Sequence, residues 1–397
     1  MQNLFSVIVL CYRRFQYMYD AIQSVLEQDY PQIELVVSDD GSANFPDEEL
    51  RAYIAKNKRQ NIKSVIIRTE ECNVGTVKHL NHAISFASGN HIFALAGDDV
   101  FHDNSVLSRY TKGFEKAGTD CYLLMSQVAM YDDKLEKLQG YFVGPTVQKV
   151  LEKDVPGLDL FNILSVSSYL PSTGTVYRKE FFEKFGKFDE TYFLVEDYPM
   201  HIQLALDGWK IHYENFISID HRHGGISKGN AGGASITYIR YLQDLKKVIQ
   251  EKIIPNQQLL KPEVRKRIIK KNKSDCIKID YIAMTHSGKL KSKLQFCCMH
   301  PLFALAKLLI KAASLFRKFR YLAILGLILM SFHAQIAHAS ALVLNRVFSG
   351  LSLQGNLPDI LFQGGFAVFL IGVVSFIIYY SGSFLQRAEG LPHIYLQ

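Results

Sequence analysis

The chain has 397 residues, 48% of them hydrophobic, and a formal net charge of +7. That is ample length for one large α/β domain or two smaller ones with a buried core. Its six cysteines form no Cys-x-x-Cys pair and lie near no histidine at zinc spacing, so they suggest neither a structural metal site nor a disulfide framework and suit reduced cytosolic thiols.

Charge and hydropathy are unevenly distributed. Up to about residue 241 the sequence reads as a globular domain, after which it becomes first basic and then strongly apolar. Lys266, Arg267, Lys270, Lys271 and Lys273, followed by Lys289, Lys291 and Lys293, precede the apolar part, a position that favours an anionic membrane surface over nucleic acid. The N-terminus enters a strand within a few residues and lacks the basic-then-apolar pattern of a signal peptide, so the first part of the chain is expected to stay in the cytoplasm.

In chain order, Phe5–Cys11 is a short apolar run of strand character, and residues 17–26 place Ala21, Ile22, Val25 and Leu26 at helical spacing. A second buried strand at 33–37 runs into Ser38-Asp39-Asp40-Gly41-Ser42. Helix is expected at 48–57, strand at 64–67 and helix at 76–87, entered through Asn73-Val74-Gly75. The strand His91–Ala96 then breaks after Gly97 into Asp98-Asp99, and 105–114 is the next helix. This alternation predicts an α/β fold with a mostly parallel sheet. Ligands of such sheets bind beyond the carboxyl ends of the strands, where both acidic pairs fall.

Further on, 122–130 reads as a strand and Asp132-Asp133 as a hairpin turn, and Pro171-Ser172-Thr173-Gly174-Thr175 offers small residues that let a ligand approach. Glu196-Asp197 opens an amphipathic helix with Ile202, Ala205 and Leu206 on one face. After a strand at 210–215, residues 220–227 (Asp-His-Arg-His-Gly-Gly-Ile-Ser) form a basic loop, and 229–235 is a small-residue candidate lid. Residues 301–320 suit an interfacial helix on the cytoplasmic surface. Two runs of span length follow at about 321–344 and 361–380, joined by a segment of little charge, which places the Arg387 tail on the cytoplasmic side. The first run carries His333, Gln335 and His338, which could face a partner helix, so a homo-oligomer through these helices is consistent with the sequence.

Several linked motifs resemble the inverting family 2 glycosyltransferases. They are Ser6-Val7-Ile8-Val9 with Tyr12, the stretch from Ala21 to Tyr30-Pro31, Val36-Val37-Ser38-Asp39-Asp40-Gly41-Ser42, Asn73-Val74-Gly75, Asn81-x-Ala83-Ile84, Ala87-x-Gly89 and Gly97-Asp98-Asp99. The resemblance covers roughly the first 230 residues and implies a GT-A (Rossmann-like) fold over 1–240, a basic linker with juxtamembrane helices over 241–320, and two transmembrane helices with a short tail over 321–397. By resemblance, Asp39, Asp40, Ser42 and Arg68 meet the base and ribose of a nucleotide-sugar, with a UDP-sugar as the expected donor. Asp98, Asp99 and His223 hold Mn²⁺ or Mg²⁺ against the diphosphate, with Asp98, Arg222 and His223 as donor contacts. Asp197 is the general base and Glu196 orients it or touches the acceptor.

One departure stands out: Ala96 occupies the position of the first acid in the family's usual Asp-x-Asp. The segment from Gly364 to Tyr395 resembles the C-terminal anchor of polyprenyl-phosphate glycosyltransferases, which implies a bacterial-type inner membrane and a lipid-linked acceptor, either polyprenyl phosphate or a polyprenyl-linked saccharide of surface-glycan synthesis. The alternative reading is a nucleotide-sugar-binding membrane scaffold without turnover, and a nucleic-acid-binding module ranks last.

Overall fold

The computed structural model describes residues 4–153, 157–222 and 236–309. Its strands are β1 (Phe5–Cys11), β2 (Ile33–Asp39), β3 (Ile62–Thr69), β4 (His91–Ala96), β5 (Val100–Phe101), β6 (Leu123–Tyr131), β7 (Leu138–Tyr141), β8 (Thr175–Arg178) and β9 (His212–Arg222). Its helices are α1 (Met18–Leu26), α2 (Asp47–Asn57), α3 (Thr76–Phe86), α4 (Val106–Ala117), α5 (Pro145–Leu151), α6 (Gly157–Val166), α7 (Lys179–Phe185), α8 (Asp197–Leu206), α9 (Ile236–Val248), α10 (Pro262–Ser287) and α11 (Leu290–Met299). A π-helical turn at Ile249–Ile253 and a 3-10 turn at Ile254–Leu259 connect α9 to α10.

The described strands form one sheet in the order β3-β2-β1-β4-β8-β6-β9-β5, with β7 paired to β6. The first four are mutually parallel. β1, β2 and β4 are largely apolar and buried because helices cover both faces, while β3 at the edge is partly exposed. Phe5, Val7 and Val9 pack with α1, α2 and α4, whereas Ile8, one residue out of phase, meets Ala83 and Ala87 on the α3 side.

The expectation of a mostly parallel sheet is corrected: the sheet is mixed. β8 is antiparallel to both β4 and β6, β7 is antiparallel to β6, and β5 is antiparallel to β9. β6 and β7 form the hairpin expected at Asp132, whose carboxylate receives the N–H groups of Glu136 and Lys137. The strand expected at 210–215 instead runs from His212 to Arg222, so Asp220, His221 and Arg222 lie in a strand rather than a loop. Pairing with β6 on one side and β5 on the other holds that polar stretch extended.

Past residue 240 the chain continues to pack: Val248, Ile249, Ile253, Leu260 and Ile268 join a buried cluster with residues of α6 and α8. Residues up to Ser292 form one compact unit, and the described residues 293–309 fall in a second. Within the second, the helix at 301–309 exposes Leu302, Leu305, Leu308 and Leu309. Among the described residues no helix is long and apolar enough to cross a membrane. The expected spans at about 321–344 and 361–380, the Arg387 tail, the candidate lid at 229–235 and His223 all lie outside the described residues.

Candidate functional site

The order β3-β2-β1-β4 places β1 between two strands that both run into acid, Asp39-Asp40 at the end of β2 and Asp98-Asp99 just past β4. After β1 the chain moves outward to β2 and β3 and then returns to β4 on the opposite side, so the crevice at the β1 end is a topological switch point. Cys11 at the end of β1 is in register with Asp39, and Leu10 with Ala96. Arg13, just beyond, adopts a φ of 61°, a conformation uncommon for a residue with a side chain. Its N–H donates to Ser42 Oγ at 3.0 Å, tying the β1 end to the β2 loop.

Asp39 and Asp40 serve different purposes. Asp39 is fully buried and closes its own turn, accepting the Ser42 N–H and the Ser42 hydroxyl, each at 2.7 Å. Asp40 reaches across to the start of α3. It accepts the Asn73 side-chain amide at 2.8 Å, the Val74 N–H at 2.8 Å and the Gly75 N–H at 3.3 Å. Between them Gly41 has a φ of 72°, and a Cβ there would lie 2.3 Å from the Cys72 carbonyl carbon, so no other residue fits. Beneath this loop Ser38 Oγ is 2.8 Å from His79 Nε2 of α3. Arg68 is in register with Ser38 but lays its guanidinium over the Phe86 ring, 5.3 Å from its centroid.

At the other strand end, Asp98 pairs with Arg14 Nη1 at 2.6 Å. Burial first and the Asp99 charge second raise its pKa, while Arg14 and His221 pull the other way. Asp99 is completely buried and faces β9, accepting the Arg222 backbone N–H at 3.0 Å on one oxygen and lying 2.9 Å from His221 Nδ1 with the other. Arg222 is itself buried. Its guanidinium donates to Asp20 at 2.6 Å and to the Asp133 carbonyl at 2.9 Å, and it covers the Tyr17 ring at 4.4 Å. Arg14 lies 5.2 Å from the centroid of the same ring.

Among the described residues no group of three His, Cys, Asp or Glu side chains is gathered around a cation position. Both Asp99 oxygens are engaged, whereas the Arg14 pair uses one oxygen of Asp98. This donor set suits an ion held mainly by a ligand's phosphates with one protein carboxylate, as Mg²⁺ commonly is, and does not suit an all-protein cage.

Glu196 and Asp197 open α8, and both are buried. Glu196 accepts the Ser172 hydroxyl, so the small-residue stretch read from the sequence supports the acidic pair directly. Asp197 accepts the Tyr198 N–H at 2.7 Å. A helix N-terminus favours a carboxylate, but burial outweighs it here. Burial, followed by repulsion from Glu196, holds the Asp197 pKa well above the usual carboxylate range, and burial likewise raises Glu196.

The segment leading to this pair is fastened to α3. Asn81 donates to the Phe188 carbonyl and to Glu190, both at 2.9 Å, and accepts the Phe188 N–H at 3.1 Å. Gly75, with a φ of 90°, lets the Phe193 ring approach so closely that a Cβ would lie 2.7 Å from it. Asp40, the 73–75 turn, Phe193 and the acidic pair thus form a continuous physical connection. Sequence reasoning missed Arg14, Tyr17 and His79. Only Arg14 carried a signal, since it lies three residues past the end of the first strand, where a cation can face acids at neighbouring strand ends.

Residues 6–186 match the family described as glycosyl transferase family 2. Glycosyltransferase GlyG of Streptococcus pneumoniae serotype 4 is 25% identical over 191 residues, 46% of this chain and 60% of GlyG. The processive diacylglycerol beta-glycosyltransferase of Mycoplasma genitalium is 22% identical over 227 residues, 56% of this chain and 64% of that protein. The chain therefore spans under two thirds of the length of each of these curated relatives. A crystal structure of S. aureus TarS in complex with UDP-GlcNAc superimposes with a TM-score of 0.48 at 18% identity, covering 74% of this chain and 78% of that one.

Proposed function

We propose that this chain, whose residues 6–186 match glycosyl transferase family 2, transfers a sugar from a nucleotide-sugar to a lipid-linked acceptor with inversion at the anomeric carbon. The observation that carries this reading is the buried Glu196-Asp197 pair, in which burial and mutual repulsion push Asp197 above the ordinary carboxylate range. That is the direction a general base needs in order to take a proton from an acceptor hydroxyl near neutral pH.

In this reading the base and ribose of a UDP-sugar lie against the Asp39–Ser42 turn, and the diphosphate lies at the β4 end beside Asp98 and Arg14. Arg14 offers a forked donor to phosphate oxygens once the donor competes for it. Asp98 is the residue that would hold Mn²⁺ or Mg²⁺, whose chemistry there is to offset charge on the departing nucleoside diphosphate. Asp197 removes the acceptor proton, and Glu196, fixed by Ser172, orients the acceptor hydroxyl. Asp99 keeps β9 in place through His221 and Arg222, and Arg222 shapes the crevice through Asp20 and Tyr17.

A phosphate acceptor is already a nucleophile and needs no base, so the buried pair favours a hydroxyl on a polyprenyl-linked saccharide over polyprenyl phosphate. The exposed leucines at 302, 305, 308 and 309, with Lys307 among them, support placement at a membrane surface. The test is incubation of membranes containing the full chain with a panel of radiolabelled nucleotide-sugars, followed by extraction of the lipid phase. Label is expected in a lipid-linked saccharide. Label remaining wholly in unreacted donor would favour the alternative of a nucleotide-sugar-binding scaffold, whereas release of free sugar by donor hydrolysis would count against that alternative.

A further inference from the structure

The segment carrying the acidic pair is held from a second side, by an element beyond the residues that match the family. Asp244 of α9 is buried, and a single oxygen, Oδ2, accepts three successive backbone N–H groups: Phe193 at 2.9 Å, Leu194 at 2.7 Å and Val195 at 3.3 Å. These are the three residues immediately before Glu196. Residues on the same side of α9 add to the grip. Arg240 lies over the Phe193 ring at 4.6 Å, and Lys247 lies over the Tyr192 ring at 4.5 Å while donating to the Thr191 carbonyl at 2.8 Å. Arg240, Asp244 and Lys247 are spaced by four and three residues, so they form one stripe along the helix.

Burying a carboxylate is unfavourable unless its charge is met by donors, and here the donors are backbone groups of one short segment. That arrangement fixes both the path of 193–195 and the direction in which the next two residues leave it. We infer that Asp244 is a positioning residue for the Glu196-Asp197 pair, acting from α9 through the backbone of Phe193, Leu194 and Val195. The inference rests on the proposed role of that pair. Asp244 touches no reacting atom. It decides where the carboxylates stand, and a displacement of about 1 Å in a catalytic group can lower turnover about 100-fold.

The experiment compares the full-length wild type with Asp244→Ala and Asp244→Asn, measuring transfer kinetics with the donor identified by the panel and UDP affinity by calorimetry. Asparagine keeps an oxygen that can accept the three N–H groups, whereas alanine keeps none. Asp244→Ala is expected to lower kcat about 30- to 100-fold, with the donor KM and UDP Kd within about threefold of wild type, and Asp244→Asn to recover most of the lost kcat. Hydrogen exchange of the wild type carries the test if the alanine variant does not fold: the amides of Phe193, Leu194 and Val195 are expected to be protected. Unchanged kcat in Asp244→Ala, joint loss of UDP binding and turnover, failure of asparagine to rescue, or fast exchange at 193–195 would each overturn the inference. A wild type inactive with every donor overturns the proposed function and this inference with it. An active wild type alongside an unaffected alanine variant overturns this inference alone.

Discussion

Replacing Asp40 by alanine tests whether this carboxylate builds the donor side of the crevice. Three donors lose their acceptor: the Asn73 side-chain amide, the Val74 N–H and the Gly75 N–H, at 2.8, 2.8 and 3.3 Å. Asn73 is exposed and its amide can turn to water, so its share is small. Gly75 is buried and Val74 half-buried, and hydrogen bonds to a charged acceptor contribute about 1.5–3 kcal/mol each. Taking the longer Gly75 bond at the low end gives a loss of about 3–4 kcal/mol. Against a total stability on the order of 5–15 kcal/mol this is severe, and at about 2–4 °C per kcal/mol it corresponds to a fall in Tm of roughly 6–16 °C. Circular dichroism melts of the full chain give the Tm, and hydrogen exchange at residues 73–76 locates the loss. Asp40→Asn, which keeps one oxygen, should fall between alanine and wild type. An alanine variant melting within about 2 °C of wild type, with residues 74 and 75 still slow to exchange, would refute the reasoning.

The other perturbations read different parts of the account. Because burial and Glu196 raise the Asp197 pKa in the folded chain, ionising it opposes folding: stability is full below the ordinary carboxylate range and is lost as pH rises through the raised value. Asp197→Asn should therefore raise Tm at pH 7, with the difference closing toward about pH 4, and equal melting at pH 7 would contradict the shift. Chelation with EDTA should lower transfer at least about tenfold, with Mn²⁺ or Mg²⁺ restoring it, and chelator-insensitive turnover would remove the cation from Asp98. Alkaline carbonate washing of membranes should leave the full chain in the pellet, and its release would argue against spans at about 321–344 and 361–380.

Much of the site was legible because strand chemistry is local. The apolar run Phe5–Cys11 and the two runs ending in Asp39-Asp40 and Asp98-Asp99 announce buried parallel strands and the edge at which they deliver charge. Sheet direction was less legible past β4. Thr175–Arg178 is four residues long and carries no sign of the direction in which it runs. The polar residues of His212–Arg222 resemble a loop until β6 and β5 are paired beside them. The partners that decide each acid's task are distant in sequence: Arg14 and Asp98 are 84 residues apart, and Asp99 and His221 are 122 apart. Asp244 sits in a helix whose pattern suggests only an exposed amphipathic face, so its grip on 193–195 emerges from packing alone.

The most direct test of the central claim is a single-turnover comparison of wild type and Asp197→Asn on donor-saturated protein with the lipid-linked acceptor, alongside UDP affinity for each. Removing the base should lower the transfer rate by roughly 10²- to 10⁴-fold while leaving UDP affinity within about threefold. Transfer by Asp197→Asn at the wild-type rate would show that Asp197 takes no proton in the reaction.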